Sequence, residues 1–202
     1  MDELNENTIS ITIKTLCEML NDRGYNVDSI KNITVEEIRV QLENKILDFE
    51  AKHNTRDENI FIKYVLFKPK SSDILNSLSY WVNNPEDYRK SDRFIIILKE
   101  NILNIDKKII EYKEKYNYNI QIFIFSKLLR NITKHSYQPK FDLVENVQEI
   151  LTNYSLKSKV KLPWISINDP ISQYYGLLQG DVIKITRFSE TSGEYITYRY
   201  CH

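Results

Sequence analysis

Three short apolar runs separated by helical patterns constrain the fold of this 202-residue chain most strongly. They lie at residues 60–67, 93–98 and 119–125 and are rich in isoleucine and phenylalanine, a composition typical of buried strands. The middle run is apolar on both faces, which favours a central position in a sheet covered by helices. Strands separated by single helices predict a three-layer domain of the βαβ type.

Helical patterns precede the first of these strands. Apolar residues recur at helical spacing over residues 9–20, and Gly24 follows where a helix C-cap is expected. Residues 34–37 have the form of a capping box. The apolar stripe behind it predicts a second helix that continues as far as residue 49.

Four further elements are predicted in the first part of the chain. Residues 51–59 are polar throughout and are expected to form a loop. Ser72 and Asn104 are the predicted N-caps of two helices, and a fourth strand is expected near residues 128–133.

The sequence changes in character after Pro139, with three of the four glycines among the last 27 residues. A helix is predicted over residues 144–153, followed by strands at 182–188 and 195–200. We therefore predict a first domain over residues 1–135 and a second over residues 136–202.

Charge and cysteine content exclude several classes of protein. The 28 basic and 28 acidic residues give zero formal net charge, which excludes a surface that is basic all over but leaves room for a local patch. The polar N-terminus and the two cysteines predict a reducing intracellular environment. The apolar run at residues 95–98 is far shorter than the roughly 20 residues of a membrane helix.

No catalytic or metal-binding motif is present in the sequence. The two cysteines and three histidines do not have the spacing of a zinc site, and no nucleophile or phosphate-binding signature occurs. A nuclease is the alternative to weigh, but the acid-x-lysine triplets fall on predicted helices, where such pairs are ordinary solvated charges. We therefore predict no catalytic residue, no metal and no cofactor.

The most specific stretch of the sequence runs from residue 162 to residue 199. Asp169 and Pro170 have the pattern of an N-cap followed by a first helical residue, and Gly176 ends the short helix that they begin. The residues that make up the pattern of this stretch are Leu162, Pro163, Asp169, Pro170, Tyr174, Tyr175, Gly176, Gly180, Arg187, Ser189, Thr191, Gly193, Tyr195, Tyr198 and Arg199.

This stretch closely resembles the C-terminal signature of the RNA polymerase subunit five family, whose archaeal members consist of the C-terminal domain without an N-terminal one. Residues 20–25 and 128–135 are similar to other parts of the eukaryotic and viral members, which have the additional N-terminal domain. Trp164 and Phe188 depart from the family pattern, because a basic residue and a proline are common at those positions.

The resemblance implies a fold and a function. The fold is an α/β N-terminal jaw domain with three layers and a degenerate nuclease-like topology, followed by a small mixed α/β assembly domain. The function is that of a non-catalytic subunit of a multisubunit DNA-directed RNA polymerase, which docks on the largest subunit and forms the lower jaw near downstream DNA. The alternatives are a stand-alone nuclease-like nucleic-acid-binding protein and a transcription adaptor.

The resemblance also implies partners and a location. The partners are the largest and other polymerase subunits, downstream double-stranded DNA and transcription regulators, with no membrane. The residues that correspond to the family's DNA-proximal loops are Lys68, Pro69, Lys70, Ser71, Asn101, Asn104 and Lys107.

The protein is expected with the polymerase complex, in the host cytoplasm or virion if it is viral and in the nucleus if it is cellular. The excess of isoleucine and asparagine fits an AT-rich genome and favours a large DNA virus.

Overall fold

The computed structural model describes residues 5–67, 71–102, 105–189 and 193–202. The chain divides into two compact units, Met1–Arg130 and Asn131–His202. The elements of the first unit are α1 (Glu6–Asp22), α2 (Asp28–Lys31), α3 (Val35–Glu43), β1 (Asp48–Lys52), β2 (Asn59–Val65), α4 (Ser71–Asn83), β3 (Arg93–Leu98), α5 (Ile105–Tyr116) and β4 (Asn119–Ile124).

The strands of the first unit form one sheet in the order β1-β2-β3-β4. β2, β3 and β4 are parallel, and β1 pairs antiparallel with β2 at the edge. These three parallel strands are the ones predicted from the apolar runs, and each is joined to the next by a single helix, as expected. All of β3 from Phe94 to Leu98 is buried, which confirms its central position.

Helices cover both faces of this sheet. On one face, Ile74 of α4 and Ile105 of α5 belong to the same buried cluster as Phe94 and Ile96 of β3. On the other face, the Thr12 hydroxyl of α1 lies 3.4 Å from the hydroxyl of Tyr64 in β2. The sheet is therefore the middle layer, and the apolar residues predicted on α1 are buried against it.

The second predicted helix is shorter than expected. The capping box forms, because the Thr34 hydroxyl accepts the Glu37 N–H at 3.2 Å and Glu37 accepts the Thr34 N–H at 2.7 Å. However, α3 ends at Glu43, and Lys45 has a left-handed backbone with φ 57°. Ile46 is 61% exposed, and Phe49 lies in β1. The apolar stripe thus crosses a turn and continues into a strand.

Four other local predictions are wrong or untested. The loop predicted at 51–59 begins too early, because residues 51 and 52 complete β1, an edge strand in which Ala51 is the fully buried residue. The strand predicted at 128–133 is absent; the chain forms 3-10 turns at Phe125–Leu128 and Ile132–Lys134 instead. Ser72 lies inside α4 rather than at its cap, and Asn104 lies outside the described residues.

The second unit is built on a small mixed sheet. Its elements are β5 (Lys140–Leu143), α6 (Val147–Asn153), β6 (Trp164–Ile165), α7 (Pro170–Tyr175), β7 (Val182–Ser189) and β8 (Gly193–Cys201). The strand order is β5-β7-β8-β6. Ile171 of α7 packs with Ile183 and Ile185 of β7 in the core of this unit. Among the described residues, no helix is long and apolar enough to cross a membrane.

Candidate functional site

The helix at the centre of the signature segment is fixed at both ends by local sequence. The Asp169 carboxylate accepts the Ile171 N–H at 2.9 Å, and Pro170 is the first helical residue. At the other end Gly176 adopts a left-handed conformation with φ 63°, which costs least for glycine. Both predicted caps are therefore confirmed, and α7 holds the following chain against the sheet.

Several signature residues are structural rather than available to a partner. Leu162 and Tyr174 are buried, and the Asn131 side-chain amide donates a hydrogen bond to the Tyr174 hydroxyl at 3.2 Å. The half-buried Tyr175 ring lies 6.1 Å from the ring of Phe141. These contacts maintain the shape of the second unit.

A lysine fixes the turn before β7. The Lys159 ammonium donates a hydrogen bond to the Gly180 carbonyl at 2.7 Å. A Cβ on Gly180, whose φ is 101°, would lie 3.2 Å from the same nitrogen atom. The positive φ is what favours glycine here, and a side chain would also displace the lysine ammonium slightly.

The β7–β8 ladder positions the remaining aromatic and basic residues. The Tyr198 ring packs edge-on against Tyr154 with centroids 5.8 Å apart, and burial raises the pKa of its hydroxyl. The Arg199 guanidinium donates to the Trp164 carbonyl at 3.4 Å. Both residues thus support the sheet, and neither projects freely from it.

Two exposed signature residues, Arg187 and Tyr195, lie near the end of this hairpin beside two further exposed residues. In the antiparallel register Arg187 faces Tyr195, and Phe188 faces Glu194. These four residues, named here the hairpin-end surface, are all exposed, and Phe188 is 79% exposed. Ser189 ends β7 and Gly193 begins β8 with φ 69°, while Thr191 lies outside the described residues. An exposed aromatic residue close to charged side chains is typical of a surface that binds another protein.

The predicted DNA-proximal residues lie partly outside the described chain. Four of them cannot be placed: Lys68, Pro69, Lys70 and Asn104. Ser71 is the half-buried first residue of α4, while Asn101 and Lys107 are exposed. The segments after β2 and β3 meet at one edge of the sheet, where the Lys99 N–H donates to the Val65 carbonyl at 3.4 Å. The described residues at the ends of these two parallel strands therefore lie side by side at this edge.

A buried acid at the opposite edge of the sheet was not predicted from sequence. Asp92 is fully buried just before β3. Its carboxylate accepts the Arg89 N–H at 2.7 Å and the Asn59 N–H at 2.9 Å, and the Arg89 guanidinium lies 3.4 Å away. The sequence signal for this buried acid is its position directly before an apolar strand. Its backbone and arginine partners give it a structural function.

The carboxylate of Glu58 holds the chain at the end of α1. Glu58 accepts the hydroxyl proton of Tyr25 at 2.5 Å and lies 3.4 Å from the Arg93 guanidinium. The neighbouring His53 ring is buried beside Gly24, where a Cβ would come within 2.9 Å of the ring nitrogen Nε2. Nε2 lies 3.2 Å from the Arg23 carbonyl, and Nδ1 accepts the Arg56 N–H at 3.0 Å. These bonds correspond to the neutral tautomer with the proton on Nε2.

The cysteines and histidines do not assemble into a site. Among the described residues, no group of three or more His, Cys, Asp or Glu side chains is arranged to hold a metal ion. Cys17 and Cys201 are free and buried. Burial raises the pKa of the Cys17 thiol to about 11 and also raises that of Cys201, so neither is a reactive thiolate at neutral pH.

Comparison with known proteins agrees with the position of the signature. The family model of the RNA polymerase Rpb5 C-terminal domain matches residues 130–201. A Dictyostelium discoideum protein, DNA-directed RNA polymerases I, II, and III subunit rpabc1, is 35% identical over 191 residues, which cover 93% of this chain and 94% of that protein.

Two further relatives are similar over both units. The Arabidopsis thaliana protein DNA-directed RNA polymerases IV and V subunit 5B is 30% identical over 92% of this chain and 86% of its own length. The Caenorhabditis elegans protein DNA-directed RNA polymerases I, II, and III subunit RPABC1 is 29% identical over 98% of this chain and 97% of its own length.

Proposed function

This chain belongs to the RNA polymerase Rpb5 family and is a non-catalytic subunit of a multisubunit DNA-directed RNA polymerase; within that enzyme, we propose that it docks on the largest subunit and forms the lower jaw beside downstream DNA. The observation that supports this most is the similarity to a polymerase subunit over 93% of the chain. The similarity covers both the proposed jaw domain, residues 1–135, and the proposed assembly domain, residues 136–202.

The assembly domain docks through residues that its own fold leaves exposed. The buried signature residues hold α7 and the β7–β8 hairpin in shape, and Arg187, Phe188 and Tyr195 project from the end of that hairpin. Arg187 and Tyr195 lie on one face of the hairpin and Phe188 lies on the other, because successive residues of a strand point to opposite faces. Exposed aromatic and arginine side chains are enriched in protein interfaces. The zero net charge of the chain fits a subunit whose affinity comes from protein contacts rather than from release of DNA counterions.

The jaw domain contributes sequence-independent contacts to DNA. Its sheet with helices on both faces fits a nuclease-like topology that has lost its active site. The loops after β2 and β3 face downstream DNA with Lys68, Pro69, Lys70, Ser71, Asn101, Asn104 and Lys107. Such contacts position the duplex without reading its bases.

The location of the protein follows from the enzyme that contains it. The amino-acid bias and the departures at Trp164 and Phe188 favour a large DNA virus. In such a virus the polymerase acts in the host cytoplasm and is packaged in virions. In a cellular polymerase, which the similarity to the Dictyostelium protein favours, the subunit works in the nucleus. Transcription regulators dock on the same jaw in either setting.

Reconstitution of the polymerase with a truncated chain tests the docking assignment. A chain that ends after residue 160 lacks α7, β7 and β8, and we expect it not to enter the complex. The full-length chain with Lys107→Glu serves as the control, because its assembly domain is intact, and it should assemble normally. Incorporation of the truncated chain at normal yield would show that docking does not depend on the second unit.

A further inference from the structure

A local basic surface lies beside β6, in a chain whose net charge is zero. Residues 155–168 contain three lysines and no acidic residue. Lys159 is tied to the Gly180 carbonyl, as described above. Lys157 and Lys161 are exposed on either side of it. The charges of these two lysines are therefore directed to solvent and are available to a partner.

An exposed tryptophan lies in the same segment as these lysines. Trp164 is 56% exposed, yet its indole N–H donates to the Val160 carbonyl at 3.2 Å and its ring centroid lies 4.7 Å from that of His202. The ring is therefore held in one orientation before any partner binds. Val160 and Ile167 are also exposed nearby in the sequence. We name Lys157, Val160, Lys161, Trp164 and Ile167 the β6 edge surface.

The backbone of this surface offers a free strand edge. β6 is at the edge of its sheet. The Tyr200 N–H donates to the Pro163 carbonyl at 2.9 Å, and the His202 N–H donates to the Ile165 carbonyl at 3.0 Å. In a parallel ladder this alternation directs the N–H and carbonyl of Trp164 away from β8. The carbonyl receives the Arg199 guanidinium, so the Trp164 N–H remains as an outward donor.

We propose that the β6 edge surface binds an extended acidic segment of a partner polypeptide. The segment pairs with the outer edge of β6, covers the Trp164 ring and places carboxylates beside Lys157 and Lys161. A polypeptide fits better than single-stranded nucleic acid for two reasons. The outward donor is a backbone group at a strand edge, and the exposed apolar residues named with the tryptophan, Val160 and Ile167, are aliphatic rather than further aromatic platforms on which bases stack. This inference does not rest on the proposed polymerase function.

Tryptophan fluorescence of the isolated full-length chain tests the proposal. Of the two tryptophans, Trp81 is buried and Trp164 is exposed, so a ligand at this edge should change the signal of Trp164. The probe is a synthetic peptide of about ten residues in which glutamate alternates with valine. We expect a saturable blue shift and protection from acrylamide quenching. Calorimetry provides a second measurement of the same affinity.

Charge-reversal variants and altered probes decide the outcome. The double variant Lys157→Glu with Lys161→Glu should weaken binding at least about tenfold. The matched variant Lys90→Glu with Lys108→Glu, at exposed lysines of the first unit, should leave it unchanged. A central proline in the peptide should also weaken binding, because proline cannot donate to a strand ladder. No saturable signal, equal loss in both double variants, or equally tight binding of an oligothymidylate of matched charge would overturn the proposal.

Discussion

At the scale of single residues, Asp92 shows how one buried carboxylate stabilises two loops. Replacement by alanine leaves the N–H groups of Asn59 and Arg89 without their acceptor in a site that water does not reach. We expect Asp92→Ala to lower the free energy of unfolding by about 3 kcal/mol. The exposed Asp87→Ala variant should change it by less than about 0.5 kcal/mol. Chemical denaturation measures both, and equal losses would contradict the structural function of Asp92.

His53 makes the stability of the first unit depend on pH. Burial, followed by the nearby charge of Arg56, lowers the pKa of His53 below its ordinary value of 6.5. The unfolded chain therefore takes up a proton at a higher pH than the folded chain does. The contribution of His53 is complete above pH 6.5 and is lost as the pH falls through the lower pKa of the folded state.

Denaturation between about pH 5 and 7 tests this dependence. The free energy of unfolding should fall more steeply with decreasing pH in the wild-type chain than in His53→Gln, whose side chain does not titrate. Equal slopes for the two proteins would show that folding does not favour the neutral form of His53.

At the scale of elements, the caps of α7 control the order of the signature segment. Asp169→Ala removes the acceptor of the Ile171 N–H, and we expect a loss of about 1 kcal/mol in the free energy of unfolding. Asp169→Asn retains a cap and should recover most of it. Asn168→Ala, at the exposed neighbouring residue, controls for position. A loss in Asp169→Asn as large as that in Asp169→Ala would mean that the cap is not responsible.

Elements whose determinants are local could be predicted from the sequence. The strands β2, β3 and β4 are rich in apolar residues, and the caps of α7 involve neighbouring residues. β1 was missed because an edge strand with one fully buried residue lacks a clear apolar pattern. The Asp92 contacts were missed because Asn59 lies 33 residues away in the sequence, and such partners are known only once the chain has folded.

At the scale of the whole molecule, the chain has two compact units and no net charge. Among its signature residues, Leu162 and Tyr174 are buried and maintain the second unit, whereas Arg187 and Tyr195 are exposed near the end of the β7–β8 hairpin. The sequence could identify the signature as a whole, but burial was needed to separate the two sets. This division predicts that variants of the hairpin-end surface affect assembly without affecting stability.

Phe188→Ala tests that prediction directly. The ring is almost fully exposed, so its removal should change the free energy of unfolding by less than about 0.5 kcal/mol. In a polymerase reconstitution it should nevertheless reduce incorporation severalfold, because an exposed aromatic residue in a protein interface contributes strongly to binding. The exposed Tyr80→Ala variant of the first unit is the matched control. Normal incorporation of Phe188→Ala would show that the hairpin-end surface is not part of the docking interface.

The most direct measurement is mass spectrometry of the proteins that co-purify with the tagged chain from its native source under gentle conditions. We expect stoichiometric recovery of two very large polymerase subunits together with this chain. Their sequences would also identify the polymerase as viral or cellular. Recovery of the chain alone, as a monomer at full yield, would contradict its place as a polymerase subunit.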